Sequence, residues 1–176
     1  MLRGNRLSPL SVGNRWIYQS VHNRLDLDTV TVFQETVVNG QRVFDGTFSP
    51  PLGMLFGSVI ARGDSIFSTA LGLQFVIPDQ LPADMQIASR ASCYSEQMTR
   101  HIVWSIDPVI VPAGTFFGCF EFTTTLDLNC QGGFDTIIEE VFIKPGVGIV
   151  KINQIRSSDC LADCSSRWEL LAWSVE

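Results

Sequence analysis

The sequence has only two histidines, two lysines and no apolar run long enough to cross a membrane. A spanning helix needs about 20 apolar residues, whereas the longest uncharged stretches, residues 46–61 and 108–120, are shorter and contain both glycine and proline. We therefore expect no membrane-spanning segment. There is also no glycine-rich phosphate loop, histidine metal motif or Gly-x-Ser-x-Gly turn. We accordingly expect a protein that is not an enzyme and holds no cofactor.

What is present is enough for one folded domain. The chain has 176 residues, of which 45% are hydrophobic and 17% are charged. This length and composition predict a single domain with its own core and exclude intrinsic disorder. The net charge of −6 argues against nucleic acid as a partner, because such binding needs cations that displace phosphate counterions.

The charge is unevenly distributed along the chain. The first 24 residues contain four arginines and no carboxylate, so this segment carries +4 and the remainder −10 (−6 minus +4). We predict a basic N-terminal arm, residues 1–15, followed by a single β domain, residues 16–176. Such an arm could dock on its own domain, on a neighbouring subunit or on an anionic surface. Its interaction candidates are Arg3, Arg6 and Arg15.

Strand and turn signals run along almost the whole chain. Val and Thr are enriched in residues 29–38, as in strands, and Asn39-Gly40 follows as a two-residue hairpin turn into residues 41–48. About ten short strands and no convincing amphipathic helix predict an all-β domain, an antiparallel curved sheet that forms a half-barrel or a barrel-like sandwich. The strands expected are Trp16–Val21, Thr29–Val38, Gln41–Phe48, Val59–Ala61, Ser65–Leu71, Met85–Tyr94, Met98–Asp107, Gly114–Asp127, Thr136–Ile143, Val147–Ile155 and Trp168–Val175.

Because no helix is expected to pack on the sheet, another part of the chain or a partner must cover its second face. Twelve phenylalanines and four tryptophans are more than one half-covered sheet would expose to water. The candidates for a cover are residues 52–58, residues 72–83, a bound apolar ligand or a second subunit.

The cysteines gather at one end if the last six strands form a simple meander. One end of the sheet then holds four cysteines, each at the end of a strand or in the loop that follows it: Cys93, Cys130, Cys160 and Cys164. Two disulfides, with pairing open, are one interpretation and imply an oxidising compartment. A four-cysteine zinc site and reduced cysteines are the alternatives, although only Cys160 and Cys164 show a zinc-like spacing. Cys119 is predicted to lie in mid-strand. It is either a buried small hydrophobic residue or, if it faces solvent, the odd thiol that could link two subunits.

Three segments carry a resemblance to a family of exported bacterial proteins. Residues 9–18 follow the pattern PL-x-x-G-N-x-W-x-Y, residues 111–119 V-P-A-G-T-F-x-x-C, and residues 146–151 G-V-G-x-V-K. Together with Glu169-Leu170-Leu171, they resemble segments of β-rich envelope proteins and lipoproteins of uncharacterised function. The resemblance implies a single antiparallel sheet, curved like a lipoprotein-carrier half-barrel, and export. Physically, these Gly and Pro residues are typical of bends and tight turns that specify the fold.

Two further motifs have weaker signals. Arg62-Gly63-Asp64 matches the tripeptide that integrins bind, on a predicted hairpin tip, although Gly-Asp is ordinary turn chemistry. This makes Arg62 and Asp64 interaction candidates. His101 shares a predicted polar strand face with Thr99, Ser105 and Asp107, which leaves open a hydrolase centred on His101.

These observations predict a non-catalytic domain of the cell envelope or a secreted domain. We expect it to act as a structural or protein-interaction module with a protein partner or as a homo-oligomer. The alternatives are a carrier of a lipid-like ligand in the concave sheet face and the hydrolase. Residues 1–5 lack the apolar core of a secretory signal. The expectation of export therefore depends on the cysteines and on the resemblance.

Overall fold

The computed structural model describes residues 10–47, 59–62, 65–68, 73–76, 84–87, 97–130, 133–156 and 166–175. Within these ranges the chain forms fourteen strands and no helix. The strands are β1 (Arg15–Ser20), β2 (Leu27–Val38), β3 (Gln41–Thr47), β4 (Val59–Arg62), β5 (Ser65–Ser68), β6 (Leu73–Val76), β7 (Asp84–Ile87), β8 (Gln97–Trp104), β9 (Val109–Val111), β10 (Gly114–Phe116), β11 (Phe120–Cys130), β12 (Gly133–Lys144), β13 (Gly148–Arg156) and β14 (Ser166–Ser174).

Twelve of these strands form one antiparallel sheet in the order β6-β5-β4-β3-β2-β1-β14-β13-β12-β11-β8-β7, and β9 pairs with β10 separately. The central strands from β3 to β11 curl into a half-barrel. The chain ends meet in its middle, because β1 pairs with β14. The predicted all-β half-barrel is therefore confirmed, as is the antiparallel meander of the last six strands of the large sheet.

Chain connectivity explains why this sheet must curl. Strands β6 and β7 lie at opposite edges of the sheet, yet only seven residues separate Val76 from Asp84. Twelve strands about 4.8 Å apart would place the edges of a flat sheet about 50 Å apart. The eight residue-to-residue steps from Val76 to Asp84 span at most about 29 Å. The two edges must therefore approach each other.

The inner face of the curl holds the core. Buried residues alternate with less buried ones in β1 and in the first half of β2, as a sheet with one covered face requires. Phe44, Phe122, Val141 and Leu170 are each no more than 1% exposed. The other inner-face core residues on these strands are Trp16, Tyr18, Val30, Val32, Phe120, Ile143 and Ile152.

Three β-bulges break the alternation. The extra residues are Phe33 in β2, Val150 in β13 and Leu171 in β14, each without a partner opposite it. A bulge bends its strand and increases the local twist. In β13 it lets the consecutive residues Ile149 and Val150 both be buried, at 6% and 0% exposure.

The cover of the inner face is an excursion of the chain between β8 and β11. Residues 105–119, which we term the cover segment, include the β9–β10 hairpin, and β9 contacts β13 and β14. The Ala113 N–H donates to the Leu170 carbonyl at 2.9 Å, and the Ser105 N–H donates to the Cys119 carbonyl at 2.9 Å. Val109, Val111 and Phe116 enter the core from this side.

The outer face is polar in its central part. Asn153 donates a hydrogen bond to Glu140 at 2.8 Å, and Lys151 lies 3.6 Å from Glu169. The Lys151 ammonium also lies 6.0 Å from the centre of the Phe142 ring, within the range of a cation–π contact. Solvated pairs of this kind contribute about 1 kcal/mol at most. The burial of the inner face is therefore the main stabilising term.

Two sequence predictions need correction. Residues 114–127 were expected as one strand, but Gly118, with a φ of +63°, separates β10 from β11, which belong to different sheets. Residues 72–83 were expected as an irregular connection, but they contain the edge strand β6. Residues 52–58, also considered as a cover, lie outside the described ranges.

Candidate functional site

Two aromatic side chains of β1 reach across a neighbouring strand to the β12–β13 turn region. Trp16 Nε1 donates to the Val147 carbonyl at 2.6 Å, and the Tyr18 hydroxyl donates to the Ile149 carbonyl at 3.0 Å. In the sheet, β14 lies between β1 and β13. These four residues, which we term the aromatic clasp, therefore connect strands that share no ladder.

Local backbone geometry places the acceptors of the clasp. Gly146 and Gly148 have φ values of +80° and +106°, which L side chains rarely adopt. The Val147 N–H donates to the Lys144 carbonyl at 3.0 Å and closes the turn. The carbonyls of Val147 and Ile149 remain directed toward β1, where the two aromatic donors meet them.

The turn before β1 positions the strand that carries the two aromatic donors. Gly13 has a φ of +98°, and its N–H donates to the Val32 carbonyl at 2.8 Å. The Val32 N–H in turn donates to the Asn14 carbonyl at 3.0 Å, and Asn14 is fully buried. Leu10 is also part of the core. The ordered domain therefore includes residues before Trp16.

Burial keeps the Tyr18 hydroxyl a donor. Desolvation raises the pKa of Tyr18 far above its usual value of 10.0, and the nearby Asp28 carboxylate raises this pKa further. The raised pKa favours the protonated phenol, which is the form that donates the hydrogen bond to Ile149. The clasp is thus a structural element and not a titrating centre.

Cys119 sits beneath the cover segment. The thiol is fully buried and lies 3.7 Å from the Phe116 carbonyl. Burial raises the pKa of this thiol, and Lys144 opposes the shift only in part. A protonated, enclosed thiol is a poor nucleophile. Cys119 is buried, as predicted, but it lies between β10 and β11 and not in mid-strand.

The segments that carry the family resemblance converge at this end of the half-barrel. Residues 9–18 supply the aromatic donors, residues 146–151 the acceptor carbonyls, and residues 111–119 the cover, which bonds to Leu170. Their glycines and aromatic residues therefore form turns and hydrogen bonds of the fold, in agreement with the physical interpretation of these motifs.

Two groups of exposed apolar side chains are considered next. Phe33, Val37 and Val38 are 55%, 68% and 53% exposed on the β2–β3 hairpin, which we term the ribbon. The second group lies on and beside the cover segment, where Ile106, Ile110, Phe117 and Trp173 are exposed.

The cysteine predictions fall on residues of which little is described. Cys130 is the last residue of β11 and pairs with Gly133 across the ladder. Its side chain, like Cys93, Cys160 and Cys164, lies outside the described residues. Among the described residues no group of three or more His, Cys, Asp or Glu side chains could hold a metal ion. The disulfide, zinc and reduced-thiol hypotheses all remain predictions.

The remaining candidates are dispersed. Arg15 begins β1 and is exposed, whereas Arg3, Arg6 and Asp64 lie outside the described residues. Arg62 ends β4 and His101 lies in β8, both with undescribed side chains. The hydroxyl of Ser105 donates to the backbone carbonyl of Asp107 at 2.8 Å. The integrin-binding and hydrolase hypotheses remain untested.

The sequence analysis did not identify residues 105–119 as the segment that covers the inner face. The available signal was its pair of prolines, Pro108 and Pro112, together with Gly118, because prolines do not occupy the centre of a sheet. Within the described ranges no helix is long and apolar enough to span a bilayer.

Comparisons with known proteins identify the fold only. No protein-family model matches the chain, and no curated protein matches it. A solved structure of a "putative lipoprotein" from Parabacteroides distasonis superposes with a TM-score of 0.56 at 12% identity, over 97% of this chain and 99% of that one. A "putative exported protein with YmcC-like fold" from Bacteroides fragilis gives a TM-score of 0.50 at 14% identity, over 95% and 98% of the two chains.

Proposed function

We propose that this chain is a non-catalytic, exported domain of a bacterial cell envelope that acts by surface contact, as a structural and protein-interaction module. The fold similarity to one protein described as a lipoprotein and one described as exported supports the compartment. The resemblance of three segments to exported envelope proteins supports it independently. The filled inner face and the exposed apolar side chains, described in the next two paragraphs, support action by surface contact.

One observation carries the proposal: in the described part of the half-barrel, the inner face is occupied by the protein's own side chains. Phe122, Val141 and Leu170 are almost completely enclosed, and the cover segment seals them from above. A carrier of an apolar ligand would need an opening where these side chains lie. The binding capacity of the described part is therefore on its exterior.

The ribbon is the surface that best suits a protein partner. Arg42 donates to Glu35 from Nη2 at 2.9 Å, and its guanidinium lies 4.8 Å from the centre of the Phe44 ring. This charged pair stands beside the exposed Val37, which pairs with Arg42 in the ladder. Exposed apolar side chains bordered by polar groups on a strand pair have the composition of a protein–protein interface.

We therefore expect self-association through the ribbon. Sedimentation velocity over a wide concentration range should show a mass that rises with concentration for the wild type. The double variant Val37→Thr/Val38→Thr keeps the β-branched shape and the strand preference but removes apolar area, and should stay monomeric at concentrations where the wild type associates.

The matched control is Leu25→Ser. Leu25 is 89% exposed in the β1–β2 loop at the opposite end of the sheet, so its loss tests general surface hydrophobicity. This variant should associate like the wild type. A wild-type protein that is monomeric at every concentration, or a ribbon variant that associates normally, would refute self-association by this surface.

Two assays address the alternatives directly. Native mass spectrometry of the purified protein should show the bare chain mass, and a co-purifying lipid would favour the carrier instead. Any hydrolytic activity that disappears in a folded His101→Ala variant would favour the hydrolase and contradict a non-catalytic role.

A further inference from the structure

Both faces of the outer part of the ribbon are in contact with water. Burial alternates along β2 only as far as Val32, and none of residues 33–38 is buried. Strand β1 begins at Arg15, which pairs with Thr31. Before β1, the Gly13 N–H still donates to the Val32 carbonyl at 2.8 Å. Beyond that bond, no described strand pairs with residues 33–38 on the edge of β2 that faces away from β3.

The turn of the ribbon determines which backbone groups point to this edge. Residues 39–40 have φ values of +52° and +75°, as in a type I′ turn, and Val38 pairs with Gln41 across it. In such a two-residue turn the flanking pair exchanges both of its backbone hydrogen bonds. Because bonded and non-bonded pairs alternate along an antiparallel ladder, the next pair, Val37 with Arg42, exchanges none. The N–H and C=O of Val37 therefore point away from β3.

This edge has few of the features that prevent strand pairing. Edge strands are commonly protected by lysines, prolines or inward-pointing charges. Apart from the bulge at its base, the segment of residues 33–38 has no proline and one charged residue, Glu35, whose carboxylate is paired with Arg42. Val37 and Val38 are exposed on opposite faces of the ribbon. A strand added here would meet an apolar side chain on each face.

From this geometry we infer that β2 pairs antiparallel with β2 of a second copy of this chain, so that the two sheets join edge to edge. The inference rests on the proposed self-association and specifies how the two ribbons meet. A strand edge is self-complementary about a two-fold axis, because antiparallel pairing of identical segments satisfies the same groups on both copies. The edge therefore needs no second kind of partner.

The side chains favour one position of the two-fold axis. Hydrogen bonds form when outward-directed groups lie opposite each other, which places the axis at residue 35, 36 or 37. An axis at Glu35 would set two carboxylates directly opposite, which is destabilising, and an axis at Thr36 would set Glu35 opposite the partner's Val37. An axis at Val37 sets the two valines opposite each other and Val38 opposite the partner's Thr36. The Val37 N–H then donates to the carbonyl of the partner's Val37.

Hydrogen exchange of the wild type, resolved amide by amide, tests this pairing without a substitution. The Val38 amide bonds to β3 and should be protected at every concentration. The Val37 amide should exchange freely in the dilute monomer, and about tenfold more slowly where sedimentation shows about nine-tenths of the chains associated. A Val37 amide that is already protected in the dilute monomer would mean that the protein's own chain covers the edge, which overturns the inference.

Val37→Pro tests the same bond by substitution. Proline removes the outward N–H, keeps an apolar side chain and costs no bond to β3, and it is tolerated on an edge strand when its nitrogen faces solvent. Association should be at least about tenfold weaker, because both bonds between the two Val37 residues are lost. The matched control is Val37→Thr, which keeps the N–H and the β-branched shape and should weaken association less. If Val37→Pro does not fold, the wild-type amide exchange decides alone.

Failure of the strand pairing can be distinguished from failure of the proposed function. A wild type that is monomeric at every concentration refutes both. A wild type that associates without protection of the Val37 amide, or whose folded Val37→Pro variant associates equally, overturns the strand pairing and leaves self-association through the ribbon standing. Association that survives Val37→Thr/Val38→Thr but not Val37→Pro would support the strand pairing and refute a contact made by the apolar side chains.

Discussion

The hydroxyl of Tyr18 donates to the carbonyl of Ile149 at 3.0 Å, across 131 positions of the sequence and across the intervening strand β14. Neither residue pairs with the other in a ladder. The bond therefore connects β1 with β13, in addition to the backbone hydrogen bonds of the sheet.

Removal of this bond should cost stability. Tyr18→Phe keeps the ring but leaves the Ile149 carbonyl buried without its donor, and such a group costs about 1–3 kcal/mol. Urea unfolding should show a lower midpoint with an unchanged slope. The exposed substitution Val37→Thr is the comparison and should change the free energy of unfolding by about 0.5 kcal/mol or less. Equal midpoints for all three proteins would contradict the role of the clasp.

The turn that presents the clasp acceptors should depend on Gly146. Its φ is +80°, and a Cβ added there would meet nothing within 4 Å, so any penalty is backbone strain alone. Gly146→Ala should cost about 1 kcal/mol or more. Gly146→Asn should cost less, because asparagine tolerates this region, as Asn39 does with a φ of +52°. Thermal unfolding of the two variants would check the ranking, and equal losses would contradict it.

Glu121 should make stability fall as the pH rises. Desolvation and the nearby Glu140 raise the pKa of Glu121 above its ordinary value of 4.5, against a lowering by a hydrogen bond from Thr123. The folded state therefore holds this proton more tightly than the unfolded state. Its contribution is fully present below pH 4.5 and is lost as the pH rises through the folded pKa.

Glu121→Gln should remove this dependence. The free energy of unfolding of the variant should fall less than that of the wild type between pH 4.5 and neutrality. Urea titrations at several pH values would measure the difference. The effect should be small because the side chain is partly solvated, and parallel pH profiles would disprove it.

The thiols give the test of the cysteine hypotheses. Cys119 is buried with a raised pKa, so it should resist alkylation in the folded protein and react in urea. If Cys93, Cys130, Cys160 and Cys164 form two disulfides, the unfolded, non-reduced chain should gain one alkyl group by intact mass and the reduced chain five. Four or five additions without reductant would rule out the disulfides.

Local sequence signals located most strands and turns because their causes are local. Asn39-Gly40 predicts a hairpin whose two central residues have positive φ, and the structure shows +52° and +75°. Alternation places Val30 and Val32 on one face of β2, and both are buried. Cys119 is buried as predicted, although it lies between two strands and not within one.

Where the chain leaves the sheet could not be predicted from alternation. Residues 114–116 and 120–127 continue one pattern, yet Gly118 and the competition for the inner face send the first part into the cover. The bulges at Phe33, Val150 and Leu171 were equally invisible, because an extra residue is apparent only when the partner strand is known.

The sequence by itself predicted an all-β fold of antiparallel strands with a basic start, since turn chemistry and side-chain alternation act over a few residues. Only the tertiary structure decided what covers the concave face. That outcome depends on which distant strands meet, and the cover segment fills the space that β13, β14 and the aromatic clasp leave. The same packing decided which apolar side chains stay outside: Phe116 is buried in the half-barrel, whereas Phe117 is exposed.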